Sequence, residues 1–139
     1  MFTLEQLFVA SSDTVGPERG ATVWQPPHVD RSAGFVVGGA SGIDETILGT
    51  SIDAGSVVAG LARFLWDRGH LLEGRPTLGV GLWYEVPEGS DVGQVVVDAV
   101  SCHRWANDAA DVAVRRGQRA VFDIANEEVV TTASLSLRV

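Results

Sequence analysis

Between Val95 and Val130 the hydrophobic period of the chain changes twice, and this restricts the fold more than any other feature. Val95, Val97 and Ala99 alternate with Val96, Asp98 and Val100, a short β-branched run with the character of a strand. Ala106, Ala109, Ala110, Ala113 and Gly117 then fall on one helical stripe. Asp108 and Asp111 stand early and Arg115 and Arg116 late, the order the helix dipole favours, with Gly117 as the C-terminal cap. Ala120, Phe122 and Ile124 share one face of a following strand, which sends Asp123 to the less apolar face. Ala125-Asn126-Glu127 turns the chain back into Glu128–Thr132.

The upstream pattern supplies the rest of a core. Thr3–Ala10 reads as a short helix capped by Thr3, with Leu4, Leu7 and Phe8 on one side. Ser11–Gly20 is polar and reads as loop, Ala21–Gln25 as a strand stopped by Pro26-Pro27, and Gly34–Val37 as a short apolar strand. Ser51 or Asp53 caps a helix expected to run to about Arg68 and end at Gly69. Ala54, Val57, Val58, Leu61, Phe64 and Leu65 form its core stripe, while Ala59, Ala62 and Trp66 leave little of its opposite face polar. In Thr77–Val86, Leu78, Val80, Leu82, Tyr84 and Val86 share a face, and Gly79, Gly81, Trp83 and Glu85 share the other. Two glycines weaken a strand unless something packs closely on their side. Pro87–Gly93 is a hairpin loop, and Ala133–Val139 reads as an edge strand.

These elements predict an α+β fold, an antiparallel sheet of four or more strands packed by two helices. Thr77–Val86, Val95–Ser101, Ala120–Ile124 and Glu128–Thr132 make the sheet; Ala54–Arg68 and Ala106–Arg116 are the helices. The expectation is one domain over 1–139, with 1–50 loop-rich and 51–139 carrying the core.

Composition excludes several kinds of chemistry. Ten basic residues against 18 acidic ones give −8, which repels nucleic-acid phosphate and anionic lipid. Every basic residue is arginine, so a P-loop phosphate grip, a Schiff-base nucleophile and a pyridoxal-phosphate anchor are impossible. No apolar run reaches the length of a membrane span, and Met1-Phe2-Thr3-Leu4-Glu5 lacks a basic leader. With a single cysteine and no visible signal, the expected setting is a reducing, cytoplasmic one rather than a secreted one.

Gly38-Gly39-Ala40-Ser41-Gly42-Ile43, after Phe35-Val36-Val37, resembles the phosphate loop of short-chain dehydrogenases. Gly38 and Gly42 match two of that family's three glycines, but Asp44 stands at the third and no good helix former follows. The family's tyrosine–lysine pair has no lysine here to complete it. His28, His70, His103 and Cys102 lack any metal-ligand spacing, so neither metal nor cofactor is expected. Neighbours on a strand face opposite ways, so Cys102 and His103 cannot work as a dyad; Cys102 would share a face with Asp98 and Val100, and His103 with Ser101. His70, Cys102, His103 and Asp123 remain the candidates for a catalytic or ligand-binding pocket.

The run from Val95 through Ala109, Ala113, Arg116, Gln118, Ala120, Phe122-Asp123 and Glu128 to Thr131 resembles a small C-terminal module. That module belongs to uncharacterised actinobacterial proteins and their phages. The resemblance covers the last third of the chain, carries no catalytic residues and implies a mobile-element context.

Two functional readings follow. In the first, the chain is a non-catalytic acidic binding or assembly protein with a protein partner or a second copy of itself. Its interface is expected at Gly55, Ala59, Ala62 and Trp66, because the first helix has more apolar surface than one sheet face can cover. In the second, it is a small enzyme or ligand binder using the His/Cys/Asp set.

Overall fold

The computed structural model describes residues 2, 6, 9, 20–25, 32–48 and 53–137. The helix expected over Thr3–Ala10, the loops expected at 11–19 and 26–31, and His28 lie outside the described residues, apart from Phe2, Gln6 and Val9.

The α+β architecture is as expected: one curled antiparallel sheet with helices packed on it. The strands are β1 (Gly20–Trp24), β2 (Phe35–Val37), β3 (Thr46–Ile47), β4 (Gly79–Glu85), β5 (Gln94–His103), β6 (Ala120–Asp123) and β7 (Glu128–Thr131). The helices are α1 (Ala54–Glu73), α2 (Ala106–Arg115) and α3 (Thr132–Ser136). The sheet runs β1-β4-β5-β2-β6-β7, and β3 also pairs with β5. β5 is its centre. One edge meets β4 from Gln94 to Val100, and the other meets β3 at Val96 and Val97 and β2 from Ser101 to His103.

Both long helices cover the same face of β5. Val57, Leu61 and Phe64 of α1 pack with Val80, Leu82, Val95, Val97 and Ala99. Val37 lies opposite Ser101, two residues along β5 from Ala99, so its side chain joins that same face. There it meets Ala109, Ala110 and Ala113 of α2, together with Val121, Val130 and Leu135. The alanine stripe lets α2 approach closely, whereas α1 fills its space with larger side chains. On the reverse face Trp24, Val36 and Val100 pack together, with Trp83, Cys102 and Ile124 against them. The two strand glycines find their explanation here. A Cβ on Gly79 would stand 2.6 Å from the Trp24 ring, and one on Gly81 would stand 2.5 Å from the Trp83 ring and 2.7 Å from Val100.

Three local expectations are corrected. α1 passes Gly69 and ends at Gly74, a turn later than the glycine signal suggests. Leu72 in that turn is buried in the core, and the buried Gln25 side chain reaches across from the end of β1. Its Nε2 donates to the carbonyls of Leu72, Arg75 and Leu78, so a distant amide adds to the local capping of Leu72 by the Gly74 and Arg75 amides. In β6 the faces are exchanged: Val121 and Asp123 are buried, and Phe122 is exposed. The ladder puts Phe122 opposite Val36 and Asp123 opposite Phe35, so the valine meets the alanines of α2. The segment expected as an edge strand after Thr132 is the short helix α3. Thr131 caps it by accepting from the Ser134 amide, and Leu135 is fully buried beside α2.

Candidate functional site

β2 and β3 are two pieces of one interrupted edge along β5. Val37 opposes Ser101, the Ala40 amide donates to the Ala99 carbonyl at 3.1 Å, and Thr46 opposes Val97. Between them Ser41–Glu45 leaves the ladder, helped by positive φ angles of 70° at Gly39 and 83° at Gly42. This is the glycine-rich stretch that resembles a phosphate loop. It opens into a strand and not a helix, so the helix N-terminus that would receive a phosphate is missing.

Beneath the loop lies Asp98, on the valine-rich reverse face of β5 and 2% exposed. Its Oδ2 accepts from the Gly39 amide at 2.6 Å, so a carboxylate of the protein itself takes the loop N–H that a phosphate would use. Its Oδ1 is buried and has no hydrogen-bond partner. Burial raises the Asp98 pKa above the usual aspartate value and the negative charge of Glu45 raises it further, against the Gly39 and Ala99 amides and Arg116. The loop from Gly39 to Glu45, Asp98 and Gln118 enclose a shallow cleft of ≈ 280 Å³.

Two arginines brace the loop from outside the cleft. Arg75 donates through Nη1 to the Ser41 carbonyl. Arg116, just past α2, donates through Nη1 to the carbonyls of Val37 (3.1 Å) and Gly38 (3.3 Å) and to Ser101 Oγ (2.8 Å). Ser101 Oγ accepts from Arg116 and shares a second hydrogen bond with His103 Nε2, 2.7 Å away. Burial and the nearby Arg116 charge lower the His103 pKa. The Ser101–His103–Arg116 set joins α2 to β2 and β5, and neither Ser101 nor His103 lines the cleft.

The four side chains proposed from the sequence are dispersed. β5 does persist through His103, so Cys102 points to the Trp24 and Trp83 face while His103 points to the helix face. His70 is exposed on α1. Asp123 is buried and accepts from the backbone and side-chain amides of Asn126 at 3.3 and 2.8 Å, closing the β6–β7 turn. Among the described residues, no three His, Cys, Asp or Glu side chains are grouped to hold a metal ion. Asp98, Gln118, Ser101 and Arg116 are not on the sequence-derived list of candidates. The one signal for Asp98 was an acid inside a run of valines, a residue buried on either face that the strand presents.

The four residues expected at an interface share one exposed face of α1. Gly55, Ala59, Ala62 and Trp66 are all exposed, Trp66 by 88%. His70 continues their row toward the C-terminal end. Arg63 and Asp67 flank it as an exposed i,i+4 pair, 4.0 Å apart. No helix among the described residues is long and apolar enough to cross a membrane.

Asp98 gives the fold a specific pH signature. Its folded-state pKa is raised, so between the ordinary aspartate value and the raised one the folded chain holds a proton that the unfolded chain has released. Stability therefore falls as pH rises through that window, and the cost is fully present above it and absent below it. Asp98→Asn has no such proton to lose. Thermal melts at a series of pH values should show wild type losing ground to the variant as pH rises from the usual aspartate range toward neutrality. A difference that stays constant with pH, or grows in the wild type's favour, would contradict a buried, charge-strained Asp98.

No protein-family model, curated protein or solved structure matches this chain.

Proposed function

We propose that this chain is a non-catalytic binding or assembly protein that works as a homo-oligomer, with α1 as its contact surface. The observation that carries this reading is Trp66, 88% exposed on a helix face where Gly55, Ala59 and Ala62 precede it. Tryptophan is enriched at contact surfaces as an anchor, and the small side chains beside it leave room for an indole from the other side.

The spacing along α1 supports a second copy as the occupant. Large exposed side chains, Trp66 and His70, stand four residues apart in the C-terminal half of α1; the small ones, Gly55 and Ala59, stand four apart in the N-terminal half. An antiparallel two-fold pairing sets Trp66 on the second copy's Ala59 and His70 on its Gly55 in the same register, with Ala62 near the axis. Charge favours the same choice. The chain carries −8, so two copies repel, yet α1 holds Arg63 and Arg68 against Asp67 and Glu73 and is balanced. The resemblance of the C-terminal third to actinobacterial and actinophage modules gives such an assembly a phage or mobile-element context.

Size-exclusion chromatography with light scattering at micromolar concentration is the test. Wild type should elute with at least twice the mass of one chain, and Trp66→Glu should elute as a monomer that still melts cooperatively. A monomeric wild type, or a Trp66→Glu protein that still associates, overturns the reading.

A further inference from the structure

A second observation, independent of α1, concerns the cleft under the Gly39–Glu45 loop. We propose that this cleft binds a small organic cation with N–H donors, an alkylammonium or a guanidinium, held by Asp98 Oδ1.

The donor and acceptor inventory leads to that class. Asp98 is almost wholly buried, and its Oδ1 is an acceptor with nothing to accept. Buried polar atoms are nearly always satisfied, and one left open in the wall of a cleft is satisfied by what the cleft takes up. The group it needs is a donor, and a positively charged one provides the countercharge that burial withholds. Gln118 stands in the same wall and brings a carboxamide, a further polar group, to the cleft.

The surroundings exclude the opposite charge. Asp44 and Glu45 stand exposed in the cleft wall, so an anion would meet carboxylates at the rim as well as at the base. The Gly39 amide already serves Asp98 Oδ2 and the Ala40 amide serves Ala99. The two nearby guanidinium groups, Arg75 and Arg116, have turned to backbone carbonyls of the loop. They hold its shape and neutralise part of the field. A metal ion is a poorer fit, because hard cations take six or more oxygens and the described residues do not group even three carboxylate, imidazole or thiolate side chains as ligands. At ≈ 280 Å³ the space is at the lower end of ligand pockets, suited to a few heavy atoms and too small for a nucleotide.

Titration calorimetry with agmatine and n-butylammonium, against butyrate, inorganic phosphate and calcium chloride as comparison ligands, tests the proposal. The two organic cations should bind saturably with millimolar or better affinity, and the anions should not bind. Asp98→Asn keeps an acceptor for the Gly39 amide but replaces Oδ1 by a donor, and it should weaken agmatine at least ten-fold while melting cooperatively. Glu45→Gln, at an exposed position, should weaken it a few-fold. If Asp98→Asn does not fold, Gln118→Leu decides: a clear loss supports the site and unchanged binding refutes it. Absence of cation binding up to about 10 mM, equal binding of butyrate, preference for phosphate or calcium, or agmatine affinity indifferent to Asp98→Asn each overturns the proposal. None of these results depends on the oligomeric state.

Discussion

Phe64→Ala is expected to cost about 3–5 kcal/mol of unfolding free energy, the range for removing a buried aromatic side chain. Phe64 is 1% exposed and sits in the main core with Val57, Leu61, Val80, Leu82, Val95 and Val97. The cavity would open between a helix and a sheet that are each fixed by other contacts, so collapse cannot recover much of the loss. The Arg68 guanidinium, 5.3 Å from the centre of the same ring, also loses its partner. Against a total of about 5–15 kcal/mol for a domain, this change alone brings the protein near its threshold. Trp66→Ala is the comparison: two residues away, larger and almost fully exposed within one chain, it leaves no core cavity and should shift the urea midpoint far less than Phe64→Ala. A Phe64→Ala protein that loses under about 1 kcal/mol in urea melts, against the usual cavity cost, would mean that α1 does not pack as described.

Gly38→Val should destabilise by about 3 kcal/mol and also destroy the cleft, from overpacking together with a lost charge-assisted hydrogen bond. Gly38 has no need of a positive φ, so the reason for glycine is space. A Cβ there would stand 2.6 Å from Asp98 Oδ2, 3.1 Å from Gln118 Oε1 and 3.2 Å from Trp83 Cη2. The backbone cannot withdraw, because Arg116 holds the Gly38 carbonyl from the other side. Asp98 must therefore move, and the Gly39 amide loses its acceptor. Chemical denaturation measures the first effect and calorimetry with agmatine the second. Stability within about 0.5 kcal/mol of wild type, the scatter of an innocuous surface change, would show that the contact at Gly38 is not tight.

The two substitutions probe different kinds of information in the chain. The core stripe of α1 was legible because Val57, Leu61 and Phe64 recur at helical spacing, and the backbone itself imposes that period. The same holds for the alanine stripe of α2, for Val80 and Leu82 in β4, and for the exposed row through Gly55, Ala59, Ala62 and Trp66. Even the opposition of Cys102 and His103 needed only alternation along a strand.

What failed to be legible depended on partners far away in the chain. The faces of β6 were exchanged because Ala120, Phe122 and Ile124 form as good a stripe as Val121 and its neighbours, and only pairing with β2 selects between them. The end of α1 was displaced because Gln25, distant in sequence, caps it. Asp98 escaped notice for a related reason. An acid at alternating spacing normally marks the wet face of a strand, but in the curled sheet both faces of β5 are covered, one by α1 and the other by the Trp24 and Trp83 layer.

The sequence by itself therefore determined the long helices, the main strands and which side of α1 must be buried, since side-chain period is a local property of the backbone; the short α3 and β3 were set by tertiary pairing and packing. The tertiary structure alone decided that the glycine loop interrupts a strand, that Asp98 takes its amide and that one carboxylate oxygen is left open beneath it. Those facts depend on strand register and sheet curl, which arise when segments dozens of residues apart compete for the same hydrogen bonds and the same dry space.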